Sequence, residues 1–166
     1  ERMPPFIVGG DTIEQVKVDS IVWAKPPRKF EAGIQHYDGM IGLAAACDYL
    51  KRIGLANVEK HERELGKIAL EGLSSVQNLK IYGPKDAEKR TGIFTFNARN
   101  VSAHQVAIML DKMKKIAVRS GLFCAQPGMD FMGACDGAVR ASFYLYNTKA
   151  EAEIFVQEVK KIVELG

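Results

Sequence analysis

Apolar and polar positions follow different rhythms along this chain, and the rhythms divide it. From residue 38 onward the first period is helical. Asp38 is a candidate cap for a helix over about 39–53, rich in Ala and Leu and closing at Gly54. Gly39, Gly42 and the run Ala44-Ala45-Ala46 suggest close packing of that helix. Val58, Leu65, Ile68, Ala69 and Leu73 draw an apolar stripe along a second helix, about 57–73. The rhythm then changes to two. Leu79-Lys80-Ile81-Tyr82 and Ile93-Phe94-Thr95-Phe96 read as strands, with the polar run Lys85 to Arg90 as the loop between them. Ser102-Ala103-His104-Gln105 fits a capping box ahead of a helix that buries Val106, Met109, Leu110 and Met113. Ile116-Ala117-Val118 reads as a short buried strand, and a further strand is expected from about Ala138 to Leu145. Thr148-Lys149-Ala150-Glu151 is a second capping box. It opens a terminal helix with Ala152, Phe155, Val156, Val159, Ile162 and Val163 on one side.

Residues 1–37 lack that order. They hold four of the six prolines and show no helical period, so they read as an extended arm. Phe6-Ile7-Val8, Val16-Lys17-Val18 and Ile21-Val22-Trp23 suggest short strands, Gly9-Gly10 a turn, and Pro26-Pro27 an extended stretch after it. The expected architecture is α+β: an arm over 1–37, then a domain over 38–166 with a mostly antiparallel sheet and helices on one face.

Composition narrows the function. A net charge of +3, with Lys and Arg spread along the chain, gives no reason to expect nucleic acid. No apolar run approaches the roughly 18 residues of a membrane span, so no membrane partner is expected. Glu1-Arg2-Met3-Pro4-Pro5 does not read as a signal peptide. Cys47, Cys124 and Cys135 make an odd count without a CxxC, which argues against a disulfide scaffold and a structural zinc, and fits a reducing cytoplasm. His61-Glu62 begins like a zincin helix, but Leu65 stands where the second His belongs, so no metal site is assigned.

The stretch with chemistry in it is Arg119-Ser120-Gly121-Leu122-Phe123-Cys124-Ala125-Gln126-Pro127. A chain that leaves a strand at Ser-Gly and then presents a Cys can hold a thiol on a loop anchored by a rigid element. Arg119, five positions earlier, is a cation that would favour a thiolate. A buried Cys packing as a small hydrophobe fits the same residues. Arg140, inside the otherwise apolar run 138–145, needs an anionic partner if it is buried: a ligand carboxylate or a structural Asp or Glu.

In order, Met3-Pro4-Pro5-Phe6-Ile7-Val8-Gly9-Gly10, Phe30-Glu31-Ala32-Gly33, the Cys124 stretch and Val139-Arg140-Ala141-Ser142-Phe143-Tyr144-Leu145-Tyr146-Asn147-Thr148 resemble the C-terminal part of a cysteine desulfurase or selenocysteine lyase. This is the class V aminotransferase type of pyridoxal-phosphate enzyme, in the sulfur-mobilisation subgroup with a short loop at the reactive Cys. The resemblance implies the small C-terminal domain of a fold-type-I enzyme, with the arm lying against the cofactor domain near a homodimer interface. It implies L-cysteine or L-selenocysteine as substrate, and Cys124 as the thiolate that takes sulfur from L-cysteine, leaving alanine. It implies Arg140 as the grip on the substrate carboxylate and Arg119 as the cation beside the Cys loop. It gives Gly33 or Ile34 a backbone contact to the cofactor phosphate of the partner subunit. An accessory sulfur-acceptor protein and a role in iron-sulfur cluster assembly follow from the same resemblance.

Two residues depart from the family pattern. Phe123 stands where members commonly carry His, and Ile34 where many carry Thr. The chain also holds no His-Lys cofactor motif, so pyridoxal phosphate is expected in a full-length parent and not on this stretch alone. Two other readings stay open from the sequence: a non-catalytic sulfur-relay or assembly module, and a class V relative with another substrate in which Cys124 is incidental.

Overall fold

A computed structural model describes residues 3–166, and the chain divides into two units, Glu1–Arg52 and Ile53–Gly166. The sequence placed the division at 37/38; the units instead keep the first long helix with the arm.

In the first unit, β1 (Ile13–Val16) and β2 (Ile21–Trp23) form an antiparallel pair. The pair is tied to the preceding turn by Thr12, which is buried. Its Oγ1 donates to the Gly9 carbonyl at 2.6 Å, and its own carbonyl accepts from the Ala24 N–H at 3.0 Å. The expected strand at Phe6-Ile7-Val8 is not formed; these residues are irregular and exposed, and pairing begins only at Ile13. After Pro26-Pro27 the chain turns through a short 3-10 helix, Arg28–Phe30, where an extended segment was expected. Proline restricts the residue before it, not those after it. Helix α1 spans Tyr37–Ile53, so Asp38 lies in its first turn and is not its cap. None of its residues is buried among the described residues.

The second unit is built on the antiparallel sheet β3 (Leu79–Tyr82), β4 (Ile93–Ala98), β5 (Arg119–Gly121) and β6 (Ala138–Ser142), in the order β3-β4-β6-β5. Three long helices cover one face: α2 (Leu55–Leu73), α3 (Ala103–Lys114) and, after the short α4 (Gln126–Phe131), α5 (Lys149–Leu165). The core follows from period. Phe94, Phe96 and Ala98 alternate inward from β4, and Val139 and Ala141 from β6. Against them lie Ala69, Leu70 and Leu73 of α2, Val106 and Leu110 of α3, and the α5 stripe from Phe155 to Val163. Phe155 meets the rings of Phe94, Phe96 and Phe143 edge-on, with centroids 5.7–6.1 Å apart.

Both capping boxes are present, Ser102 with Gln105 and Thr148 with Glu151. The loop Lys85–Arg90 hides a buried arginine. Arg90 donates to the carbonyls of Tyr82 and Pro84, and its guanidinium lies over the Phe94 ring.

Two strand expectations shift. Ile116-Ala117-Val118 is not a strand. Lys115 leaves α3 in the left-handed region, the Ile116 N–H returns to the Leu110 carbonyl, and Ile116 and Val118 pack on the core from irregular chain. Pairing starts at Arg119, and before it Lys115 and Val118 line a cleft together with Ser142 and Tyr146. β6 stops at Ser142, short of Leu145, where Asn147 turns the chain by accepting from the Tyr144 N–H on its side chain.

The other face of the sheet is not bare. The loop Leu122–Gly137, with α4 inside it, folds over that face. Met129 and Ala134 pack with Tyr82 and Ala138, and Leu122 and Phe123 lie against this second, smaller cluster. α4 was not expected from the sequence.

Candidate active site: a thiol and two arginines

The register of the sheet assembles the site. Arg119 of β5 stands directly opposite Arg140 of β6, and Arg140 directly opposite Thr95 of β4. The neighbours of this row, Val139 and Phe96, face the three-helix core. Alternation therefore sends both arginines to the face covered by the 122–137 loop.

The Cys stands on a tight turn immediately after β5. The Ala125 N–H donates to the Leu122 carbonyl at 3.0 Å, and the two residues between, Phe123 and Cys124, both have φ of +57°. Two positive φ values inside an i to i+3 hydrogen bond mark a primed turn, a shape normally taken by Gly or Asn. Two L-residues with side chains hold it here, a strained arrangement that persists only where surrounding contacts fix it. Cys124 is exposed at the crest, and Arg119 Nη2 reaches its Sγ at 3.6 Å.

The contacts that hold the turn are visible. Leu122 and Phe123 anchor in the small cluster below. At the base of the loop Gly121 and Gly137 meet, with φ of +113° and +92°. A Cβ on Gly137 would fall 2.8 Å from the Gly121 Cα, so that crossing admits no side chain. Asn97 Nδ2 donates to the Gly137 carbonyl at 2.9 Å, and Lys80 Nζ donates to the carbonyls of Met132 and Gly133 at 3.3 and 3.2 Å. Lys80 and Asn97 were not singled out from the sequence. Period-two alternation already placed them opposite the apolar positions of their strands, which is the signal that marks them.

Arg140 is half-buried, and its Nε is buried with no hydrogen-bond partner among the described residues. The structural Asp or Glu partner that the sequence left open is therefore not bonded to that atom. Its guanidinium carbon lies 5.3 Å from the Phe123 ring centroid, and that of Arg119 lies 5.9 Å from the same ring. Two arginines thus share one aromatic ring, and one of them, Arg119, reaches the thiol. The arrangement suits an anion that brings a sulfur with it, because guanidinium forks match carboxylates.

Other candidate residues lie apart from this cluster. His104 Nδ1 sits 3.5 Å from Ser120 Oγ. Ser120 pairs with core-facing Val139, so this histidine is on the helix side of the sheet and does not replace the His absent at position 123. His61 Nε2 lies 2.8 Å from the Asn147 carbonyl oxygen. Cys47 on α1 and Cys135 near the end of the loop are exposed thiols. Gly33 and Ile34 belong to the first unit. The Gly33 N–H already donates to the Gly10 carbonyl at 2.9 Å, and the Ile34 side chain is exposed.

The family model described as aminotransferase class-V matches residues 1–155. A probable cysteine desulfurase of Halalkalibacterium halodurans is 44% identical over 164 residues, 99% of this chain and 39% of that protein. One from Staphylococcus aureus is 41% identical over the same share. Among solved structures, the apo cysteine desulfurase of Thermococcus onnurineus superposes with a TM-score of 0.90 at 41% identity, over 98% of this chain and 40% of that one. An Escherichia coli cysteine desulfurase in its S-sulfonic acid form gives 0.87 at 29%, over 98% and 39%. The chain thus spans 39% of the length of the curated relatives it matches. It corresponds to a stretch of a cysteine desulfurase, and it belongs to the class-V aminotransferase family.

Proposed function

We propose that the full-length protein containing this stretch is a pyridoxal-phosphate-dependent cysteine desulfurase, and that this stretch supplies the sulfur-accepting thiol and the substrate carboxylate site. The observation that carries the reading is the contact of Arg119 with Cys124 Sγ at 3.6 Å, on a strained turn beside Arg140, whose buried Nε is unpartnered. An L-cysteine whose carboxylate lies on the Arg140 fork brings its sulfur toward the turn that carries Cys124. Pyridoxal phosphate, if held elsewhere in the full-length protein, would supply the electron sink that weakens the Cβ–S bond of the bound amino acid. The Cys124 thiolate attacks the substrate sulfur. An S–S bond forms as the Cβ–S bond breaks, the electron pair passes to carbon, and a proton added there leaves L-alanine and a Cys124 persulfide. Arg119 supports the thiolate before the attack.

For the cofactor itself this stretch offers little. With the Gly33 N–H given to Gly10, the phosphate contact to a partner subunit in a homodimer falls to the backbone of Ile34. By itself the stretch should hold no cofactor and turn over no cysteine. The persulfide passes to an acceptor protein serving iron-sulfur cluster assembly in the cytoplasm. The short turn keeps the sulfur close to the sheet, so the acceptor must come to it.

The test is Cys124→Ala in the full-length protein, assayed for sulfide and alanine from L-cysteine with a thiol acceptor present. Activity should be lost, while Cys47→Ala and Cys135→Ala retain it. Undiminished sulfide release by Cys124→Ala would reduce Cys124 to a packing residue.

A further inference from the structure

We propose that Phe123 is a positioning residue for substrate recognition: its ring is the shared floor on which the guanidinium groups of Arg119 and Arg140 are set. The proposal rests on the reading of Arg140 as the carboxylate site. Strand register places the two arginines directly opposite each other, and like charges so placed repel. Left to themselves, two long side chains would swing apart into solvent. The Phe123 ring lies within 5.3 Å of one guanidinium carbon and 5.9 Å of the other, close enough for the negative face of the ring to attract both cations. The ring is itself fixed. Its backbone is held in the left-handed region inside the Leu122–Ala125 hydrogen bond, and its side chain packs on the cluster of Tyr82, Met129, Ala134 and Ala138.

One residue therefore sets three things. It holds the Arg140 guanidinium over the loop face of the sheet, with Nε buried and without a hydrogen-bond partner among the described residues. It keeps Arg119 where Nη2 reaches the sulfur. By adjacency it fixes the backbone of Cys124. An aromatic ring does this without a proton to give or take, so the contribution is to geometry and to binding of the substrate anion. No acid-base step runs through it.

The experiment compares Phe123→Leu, Phe123→Gly and Phe123→Tyr in the full-length holoenzyme, with Arg140→Lys alongside. Phe123→Leu keeps an apolar side chain but no ring face, and should raise KM for L-cysteine about fivefold to tenfold, as loss of cation–π support predicts, with a smaller change in kcat. Phe123→Gly suits the positive φ and removes the ring; it should raise KM as well, which separates the ring from backbone strain. Phe123→Tyr keeps the face and should retain KM. A second readout is independent of turnover. With arginine Nε labelled, the Nε–H resonance of Arg140 should move in Phe123→Leu and stay in Phe123→Tyr, because the ring current leaves with the ring. An unchanged KM and an unmoved Arg140 resonance in Phe123→Leu, with KM raised in Arg140→Lys, would overturn the role of Phe123 and leave the carboxylate site standing. An unchanged KM in Arg140→Lys would overturn both.

Discussion

A thiol on a turn is only as well placed as the turn, and here single residues decide it. Phe123 and Cys124 occupy backbone conformations that L-residues avoid, and the crossing of Gly121 with Gly137 closes the loop beneath them. Gly137→Ala meets two obstacles, a φ of +92° and a Cβ 2.8 Å from the Gly121 Cα, both backbone and neither able to yield cheaply. It should destabilise the second unit by about 2–3 kcal/mol, the scale of a strained left-handed residue with an added clash. Gly128→Ala, also in the loop, has open space around its Cβ and serves as the control. Denaturant midpoints separate the two. Equal midpoints for Gly137→Ala and wild type would mean that the loop base rearranges freely, and the turn would then need another anchor.

Elements were legible in the sequence where one period fixed both shape and burial. Phe94 and Phe96 on a period of two, and Phe155, Val159 and Ile162 on a helical period, are buried in the core. The capping boxes were legible because they are local chemistry within four residues. At the Ile116 run and at α4, what failed needs partners distant in the chain. The apolar run at Ile116 looks like a strand, but only pairing makes one; Ile116 and Val118 pack on the core instead, and pairing begins at Arg119. α4 contains Pro127 and Gly128, poor helix formers, and is held by burial of Met129. At the site, Cys124 and Arg119 were legible as neighbours in sequence. The pairing of Arg119 with Arg140 is a matter of register, and no local pattern encodes it.

The α5 cap carries a pH prediction at the same scale. The Glu151 carboxylate accepts from the Thr148 backbone N–H at 2.7 Å, and this bond, with others from Asn147 and Thr148, holds its pKa below the usual 4.5. Glu64 is likewise held low by Lys149, 2.9 Å away. A folded pKa below the unfolded one contributes stability above 4.5 that is lost as pH falls through the folded value. Thr148→Ala should cost about 1 kcal/mol at neutral pH. Glu151→Gln should flatten the loss of stability on acidification, because its side chain does not titrate. An acid limb of equal slope in Glu151→Gln and wild type would assign acid sensitivity to other carboxylates.

For the whole molecule, the distribution of buried side chains is uneven. Every buried apolar residue among those described lies between Val58 and Val163, all inside the second unit. The first unit buries Thr12 and Lys29 and no apolar side chain. Its helix α1 exposes Tyr37, Met40, Ile41, Leu43 and Tyr49. A cooperative unfolding transition comes from a buried apolar core, and hydrogen bonds of a short hairpin do not replace one. The second unit should therefore fold alone. A fragment of residues 53–166 should show a single cooperative thermal transition, monitored by circular dichroism, with a midpoint within about 5 °C of the full 166-residue chain, a shift corresponding to roughly 1 kcal/mol in a domain of this size. A fragment of residues 1–52 should show none. A cut at 37/38 should give a larger fragment no more stable than 53–166, since the added α1 brings no buried side chain with it. If 53–166 were unfolded while 38–166 folded, α1 would be part of the core that sequence alone assigned to it, and the division of the chain would move back to residue 37.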